Sequence, residues 1–461
     1  MPFDPQLAEI RFGCGLSPNI APPRSVSDML QSLAAEDDIA RRFPIETFET
    51  FQERIAAGQV LQKIRKKNRG SPEALTAKKG RRVLNKEARI AQIGWLGQHI
   101  NRWVWTNAPL RERLTLFWAD HFTATGKAGQ IRRATSPYIE SAIRPNINGT
   151  FEDLLIAAVL HPLMIHFLDQ HRSIGANSVR ASRGGKLVGL NENLAREVLE
   201  LHTLGAGGPY TQTDVTQLAE LLTGVTYGPT MALKFRKDQA EPGAETVLGT
   251  TYGGGAGHIR DVTAVLRDLA KHPATARHIA WKMAVHFTSD TPDPALITAL
   301  EQRFLETNGD LAEVNKALLT HPAAWALPRN NVKPPFHFVG SAARALAVPP
   351  KAITDLTEKR ARHLFVNPMS RMGHIWEKPD GPDGLPEEDS LWIAPQGIAA
   401  RLQWAITIPQ LLLDPLPDPR DFVTTALGNY ASPAVTFAAK AAETRSDGVG
   451  LILASPAFQR T

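Results

Sequence analysis

The chain has 461 residues, 43% of them hydrophobic and 21% charged, an ordinary globular composition with length enough to bury a sizeable core without staples. Its single cysteine, Cys14, excludes an internal disulfide framework and any multi-cysteine metal site, and no window approaches the ~18 uncharged apolar residues of a helical membrane span. The net charge of +6 is concentrated in Lys63–Arg82, KIRKKNRGSPEALTAKKGRR, which holds nine Lys/Arg against one Glu.

At the N-terminus, MPFDPQLAEIRFGCGLSPN has no basic leader followed by an apolar run, so the expected location is the cytoplasm. The basic segment reads either as a patch for nucleic acid or an anionic surface, or as the solvated tip of a helix–turn–helix. Few aromatics interleave with its cations and no nucleic-acid motif follows, so the solvated tip is the plainer reading and nucleic acid is not expected as a partner. Ser71-Pro72-Glu73 starts a helix: Ser caps, Pro fits the first turn, and Glu suits the positive end of the dipole. Ile90, Ile93, Leu96, Ile100, Trp103 and Val104 then recur at three- and four-residue spacing, a single buried stripe. Asn107-Ala108-Pro109 breaks that helix. Leu110, Leu114 and Phe117 begin the next stripe, and His121 falls on it. Phe151 opens another helix. Three His-Pro pairs, at His161, His272 and His321, each end an apolar-periodic run and are expected at helix–corner–helix joints, with each imidazole near the negative end of a helix dipole.

The stretch NENLAREVLELHTLGAGGPYTQTDV, Asn191 to Val215, combines a charged helix with a glycine-bent turn. Asn193, Glu197 and Glu200 share one helix face, Leu194, Val198 and Leu201 the adjacent apolar stripe, and Arg196 can reach Glu192 and Glu200. A solvated face held by such pairs is the bland reading. Against it stand apolar neighbours, a scarcity of lysine, and a turn tight enough to bring Tyr210 and Asp214 near the acidic helix. His202 diverges from Glu200 by roughly 200° on a regular helix, so the two cannot ligate one metal together. Thr211 and Asp214 have capping-box spacing, and Gly224 is the expected stop.

Strand signals are sparse. Residues 231–235 and 245–249 are expected to pair as one short hairpin, followed by the glycine loop TYGGGAGH, which lacks a phosphate-binding motif. The expected fold is mainly α, a multi-helical single- or two-lobed body with at most that hairpin, about 231–249. Lobes 1–225 and 258–461 would be joined by 226–257. Residues 366–395 form a long Pro/Gly/acid-rich loop, functional or mobile, with Trp376 and Trp392 expected to pin it to the body.

NENLAREVLELHTLG followed by GGPYTQTDVTQLAELLTG resembles the signature of a large bacterial family known as domain of unknown function 1800. RFGCG, PLRERLTLFWADHFT, FEDLLIAAVLHPLMIHFLD, HPATARHIAWKMAVHF, KPPFHFVGSAARAL and MGHIWEKPDGPDGLP match in order, so the resemblance spans nearly the whole chain. It implies a mostly helical fold and no settled biochemistry. Genes of this family often lie beside one for a phosphatase- or sulfatase-like protein, which the resemblance implies as a partner. Family members often carry export signals, so export stays open. The polar motif positions are Asn191, Glu192, Asn193, Arg196, Glu197, Glu200, His202, Tyr210 and Asp214, with His121 and His286 each matching a histidine before a phenylalanine. The sequence departs from the pattern at Val225 and Leu385, where a tryptophan is usual. Both departures read as packing changes.

Two readings follow. In the first the chain is an enzyme acting on an anionic small molecule or modified polymer. Glu197, Glu200, His121 and Asp214 would form the acid/base site, and Glu197, Glu200 and His121 would ligate a divalent metal such as Mn, Fe or Zn. Asn193, Arg196 and Tyr210 would bind substrate. In the second the chain is a non-catalytic binding or assembly protein. Its polar cluster would be structural, and loop 366–395 would contact the partner.

Overall fold

A computed structural model describes residues 3–184 and 189–461. The chain is mainly helical, with two small antiparallel two-stranded sheets. Strands β1 (Val225–Tyr227) and β2 (Leu233–Phe235) form one, and β3 (Pro242–Val247) and β4 (Thr250–Ala256) the other. Each expected segment is thus extended only in part, at Leu233–Phe235 and at residues 245–247, and the two do not pair with each other. Met231 takes φ +64° and turns β2 back onto β1, while Leu248 and Gly249, both at positive φ, make the tight turn that returns β3 to β4. Local turn chemistry wins over the longer loop.

The helix boundaries follow the capping chemistry. Ser71 caps Pro72–Trp105, Thr150 caps Phe151–Val159, and Thr211 and Asp214 form a complete capping box on Gln212–Leu221. The His-Pro pairs do join successive helices, and His321 is also the C-cap of the helix behind it, Leu311–Thr320, its N–H donating to the carbonyl of Ala317 at 3.1 Å. Each histidine is the N-cap of the helix that follows: Nδ1 of His161, His272 and His321 accepts the N–H two residues on, from Leu163, Ala274 and Ala323, at 3.1, 3.1 and 3.2 Å. Proline fills the first helical position, where no N–H is needed, and the imidazole satisfies the next donor.

Buried apolar side chains form two clusters. One runs from Leu7 to Trp325 and includes Met231, Val247 and Tyr252 of the hairpin region. The other joins residues from Phe336 to Phe458 to Leu96, Ile100, Trp103 and Val104 of the long helix. That helix is thus shared between the two cores. The fully buried Arg344 fastens its end: Nη1 donates to the carbonyls of Trp103, Val104 and Thr106, and Nη2 pairs with buried Glu9 at 3.3 Å. Ile90 departs from the expected stripe. It is 46% exposed and faces solvent, although Ala88 and Ile93 on either side of it are buried.

The acidic helix is irregular. Asn193–Glu197 is α-helical, and Val198–Thr203 widens into a π-turn in which the N–H of Leu204 reaches the carbonyl of Leu199 at 3.0 Å. The wider turn buries Val198, Leu199, His202 and Thr203 together. No sequence period reveals such an insertion.

Candidate active site

The residues singled out from the sequence separate into three environments. Arg196 is taken up by Glu192, Glu200 and Gln212, at 3.3, 3.5 and 3.0 Å, and Asn193 is exposed. Burial and the nearby Glu200 raise the Tyr210 hydroxyl. Asp214 closes the capping box and accepts the N–H of Leu248 at 2.7 Å, tying the helix to the β3–β4 turn. His121 is buried on the opposite side, among Trp118, Phe122 and Phe151. Its Nε2 lies 3.3 Å from the carbonyl of His202, not against a carboxylate. Burial pushes the imidazole of His202 down to about 3, and both of its ring nitrogens lack a hydrogen-bond partner among the described residues. Among the described residues no group of three or more His, Cys, Asp or Glu side chains is placed to hold a metal ion, so Glu197, Glu200 and His121 do not form the expected ligand set.

Glu197 has a different setting. Burial raises its carboxyl, and the charges of Glu200 and Asp383 raise it further. Asp383 belongs to the long Pro/Gly loop and also acts on Asp120, which stands beside His121 in sequence but faces a cavity. The charge of Asp383 is thus felt both on the acidic helix and at the cavity.

The cavity encloses about 880 Å³ including its open mouth. Its walls come from Pro109–His121, the start of Pro335–Ala345, His286 and the loop from His374 to Trp392. The loop is held down by Trp392, 2% exposed, whose Nε1 donates to the carbonyl of Pro386 at 3.1 Å, and by Trp376, whose ring stacks on Phe336 with centroids 5.0 Å apart. Phe336, Trp376, Trp392 and three prolines make the lining predominantly apolar.

Three carboxyl groups project into this apolar space. Asp120 accepts the N–H of Leu385 at 2.8 Å, and burial pushes it up to about 7 against the pull of Lys282. Glu377 accepts from Gln92 Nε2 at 2.7 Å and from the Ser136 hydroxyl, and burial again pushes it up to about 7. Solvent reaches both through the cavity, yet protein surrounds them and disfavours their charged forms. Burial would also raise Glu387, but its contact with His286, aided by Lys282 and Arg113, holds it below the usual carboxylate range. Both oxygens of Glu387 lie 3.1 Å from His286 Nδ1, and His286 Nε2 has no partner among the described residues. His337 and His374 also line the cavity, with Thr123, Thr135 and Lys378. Burial holds His374 down to about 4 and His337 well below the ordinary imidazole value, so both are neutral.

Of these groups, sequence reading noted His286 only as a motif position and did not single out Asp120, Glu377, Glu387, His337 or His374. The available signal was the unusual length and composition of loop 366–395 together with the ADHF segment. Leu385, where the family pattern has tryptophan, is among the residues lining the cavity, and its backbone N–H holds Asp120.

Fold and site define a mainly helical protein with one long loop folded over an interior acid/imidazole cavity. The family model described as protein of unknown function (DUF1800) matches residues 10–460, and the chain belongs to that family. No curated protein and no solved structure matches it. No helix among the described residues is long and apolar enough to cross a membrane.

Proposed function

We propose that the chain is an enzyme that moves protons at the cavity between Asp120, Glu377 and the His286–Glu387 pair, on a neutral substrate with apolar faces and hydroxyl groups. The observation that carries this reading is the convergence of those groups on one apolar cavity. A carboxylate on Nδ1 fixes the tautomer of His286 and leaves Nε2 as the basic nitrogen. A carboxyl poised near neutrality and facing the same space is matched to act as the acid. The lining offers acids, neutral imidazoles and aromatic rings, and among the described residues Lys378 is its one lysine or arginine. This favours a neutral molecule over the anionic one expected from Arg196, whose guanidinium is already occupied.

The test is a panel of neutral chromogenic glycosides and esters, assayed from about pH 5 to 9. Turnover is expected with a bell-shaped profile, abolished by Glu387→Gln and by Asp120→Asn and retained by Arg196→Ala. Equal turnover in native protein and in the two cavity variants would sink the assignment.

Exposed Ile375, Leu391 and Ile393 on the same loop favour a second reading, in which the loop contacts a partner protein such as the phosphatase- or sulfatase-like neighbour implied by the family resemblance. Binding to that protein, lost in Leu391→Ser/Ile393→Ser, supports it; no complex by size-exclusion chromatography removes it.

A further inference from the structure

Helices Phe48–Lys67 and Pro72–Trp105 pack against each other and leave the body as an arm. Between residues 59 and 87 only Ala74 and Ala77 are buried. At 1.5 Å per residue the stretch from Pro72 to Glu87 is about 24 Å of protruding helix. Gly80 lies against Leu61 of the facing helix, where a Cβ would stand 3.0 Å from its methyl, so the arm is held together by its own seam.

The charge on this arm is one-sided. Residues 59–87 carry ten Lys/Arg against Glu73 and Glu87, which exceeds the net +6 of the whole chain and leaves the remainder net acidic. The first ion pair along the long helix is Arg89 with Glu358, at 2.9 Å, where the arm rejoins the body. Among the described residues none of the ten cations has an acidic partner. Their mutual repulsion is a standing cost that an anionic surface would relieve. The arm also exposes branched aliphatics among those cations: Val60, Ile64, Leu75, Val83 and Ile90 are 37–61% exposed, and no aromatic residue occurs between Phe51 and Trp95.

We propose that the tip of this arm docks on an anionic lipid surface. Phosphates alone would answer the cations but leave the aliphatics in water, and single-stranded nucleic acid is gripped through aromatic stacking that the arm cannot supply. A bilayer interface accommodates both: Lys66, Lys67, Lys78 and Lys79 at the headgroups, Leu75 and Val83 at the acyl boundary. The inference stands apart from the cavity and its chemistry.

The experiment is flotation of the full-length protein with phosphatidylcholine vesicles, with and without about one-third phosphatidylglycerol. Binding is expected only to the anionic vesicles and is expected to be lost in about 0.5 M salt. K66Q/K67Q/K78Q/K79Q should weaken it at least about a hundredfold, since each headgroup-level cation contributes about fivefold. L75S/V83S, with charge intact, should weaken it about tenfold. All these positions are exposed, and unchanged circular dichroism shows that the variants remain folded. Absence of binding to the anionic vesicles, or binding indifferent to the lysine changes, overturns the proposal. So does an unchanged L75S/V83S affinity, which would mean charge alone acts; tighter binding to a DNA duplex would then identify nucleic acid instead.

Discussion

The acidic helix and the loop-covered cavity both collect carboxylates, and they treat them in opposite ways. On the helix and the one that follows it the acids are mostly answered: Glu192 and Glu200 by Arg196, Asp214 by the Thr211 hydroxyl and two backbone N–H groups. In the cavity Asp120 and Glu377 accept hydrogen bonds from neutral donors alone, and the charges of Lys282 and Arg133 do not offset burial, which raises both to about 7. An acid with a cation beside it stabilises a fold. One kept in apolar surroundings without a cation paired to it has its charged form disfavoured, which is what proton transfer near neutral pH requires. Glu197 belongs with the second kind, since burial, Glu200 and Asp383 all raise it.

That contrast can be broken or sharpened by substitution. The largest effect should come from Trp392→Ala, which removes the nearly fully buried anchor of the cavity loop. A loss of about 3–5 kcal/mol is expected in denaturant unfolding, with faster amide exchange across residues 374–392. A loss below 1 kcal/mol would mean that the loop is not fastened by this ring. Next, Asp214→Ala should cost about 1–2 kcal/mol by removing a capping box and the tie to Leu248, with no change in any cavity activity. Asp120→Asn should do the reverse. The carboxyl is raised in the folded state, so its contribution to stability is complete below its unfolded value and is lost as pH rises through about 7. Native and variant should melt together near about pH 4, and by about pH 8 the variant should melt higher. A variant that melts lower at both pH values would show that Asp120 is a structural acid like Asp214. The smallest effect belongs to Arg196→Ala, whose half-exposed pairs should yield less than about 1 kcal/mol, diminishing further in salt.

The helical frame was legible because its signals are local. Ser71, Thr150 and Thr211 cap helices where their spacing says they should, and the family signature around Asn191–Val215 holds across residues 10–460. Even so, three local readings shifted. The His-Pro histidines cap the helix ahead through an Nδ1 geometry that no spacing reveals, and of the three only His321 also closes the helix behind. Residues 233–235 and 245–247 are extended as expected yet found different partners, because turns at Met231 and Leu248-Gly249 close shorter loops. The π-turn at Val198–Thr203 altered which faces of the acidic helix are buried.

The site was largely illegible for a different reason. Asp120 and His121 are neighbours in sequence, and the apolar stripe marked His121, which is indeed buried; but the structure seats it on the carbonyl of His202, while Asp120 opens onto the cavity. Glu377 and Glu387 lie more than 250 residues from Asp120, on a loop with no periodicity to say which way any side chain turns. By itself the sequence determined where helices begin and end, which stripes are apolar, the family, and the concentration of charge on residues 59–87, all of which depend on residues within a turn or two of one another. Tertiary structure alone decided which acids received a cation and which were left in an apolar cavity, because that depends on desolvation by elements distant along the chain.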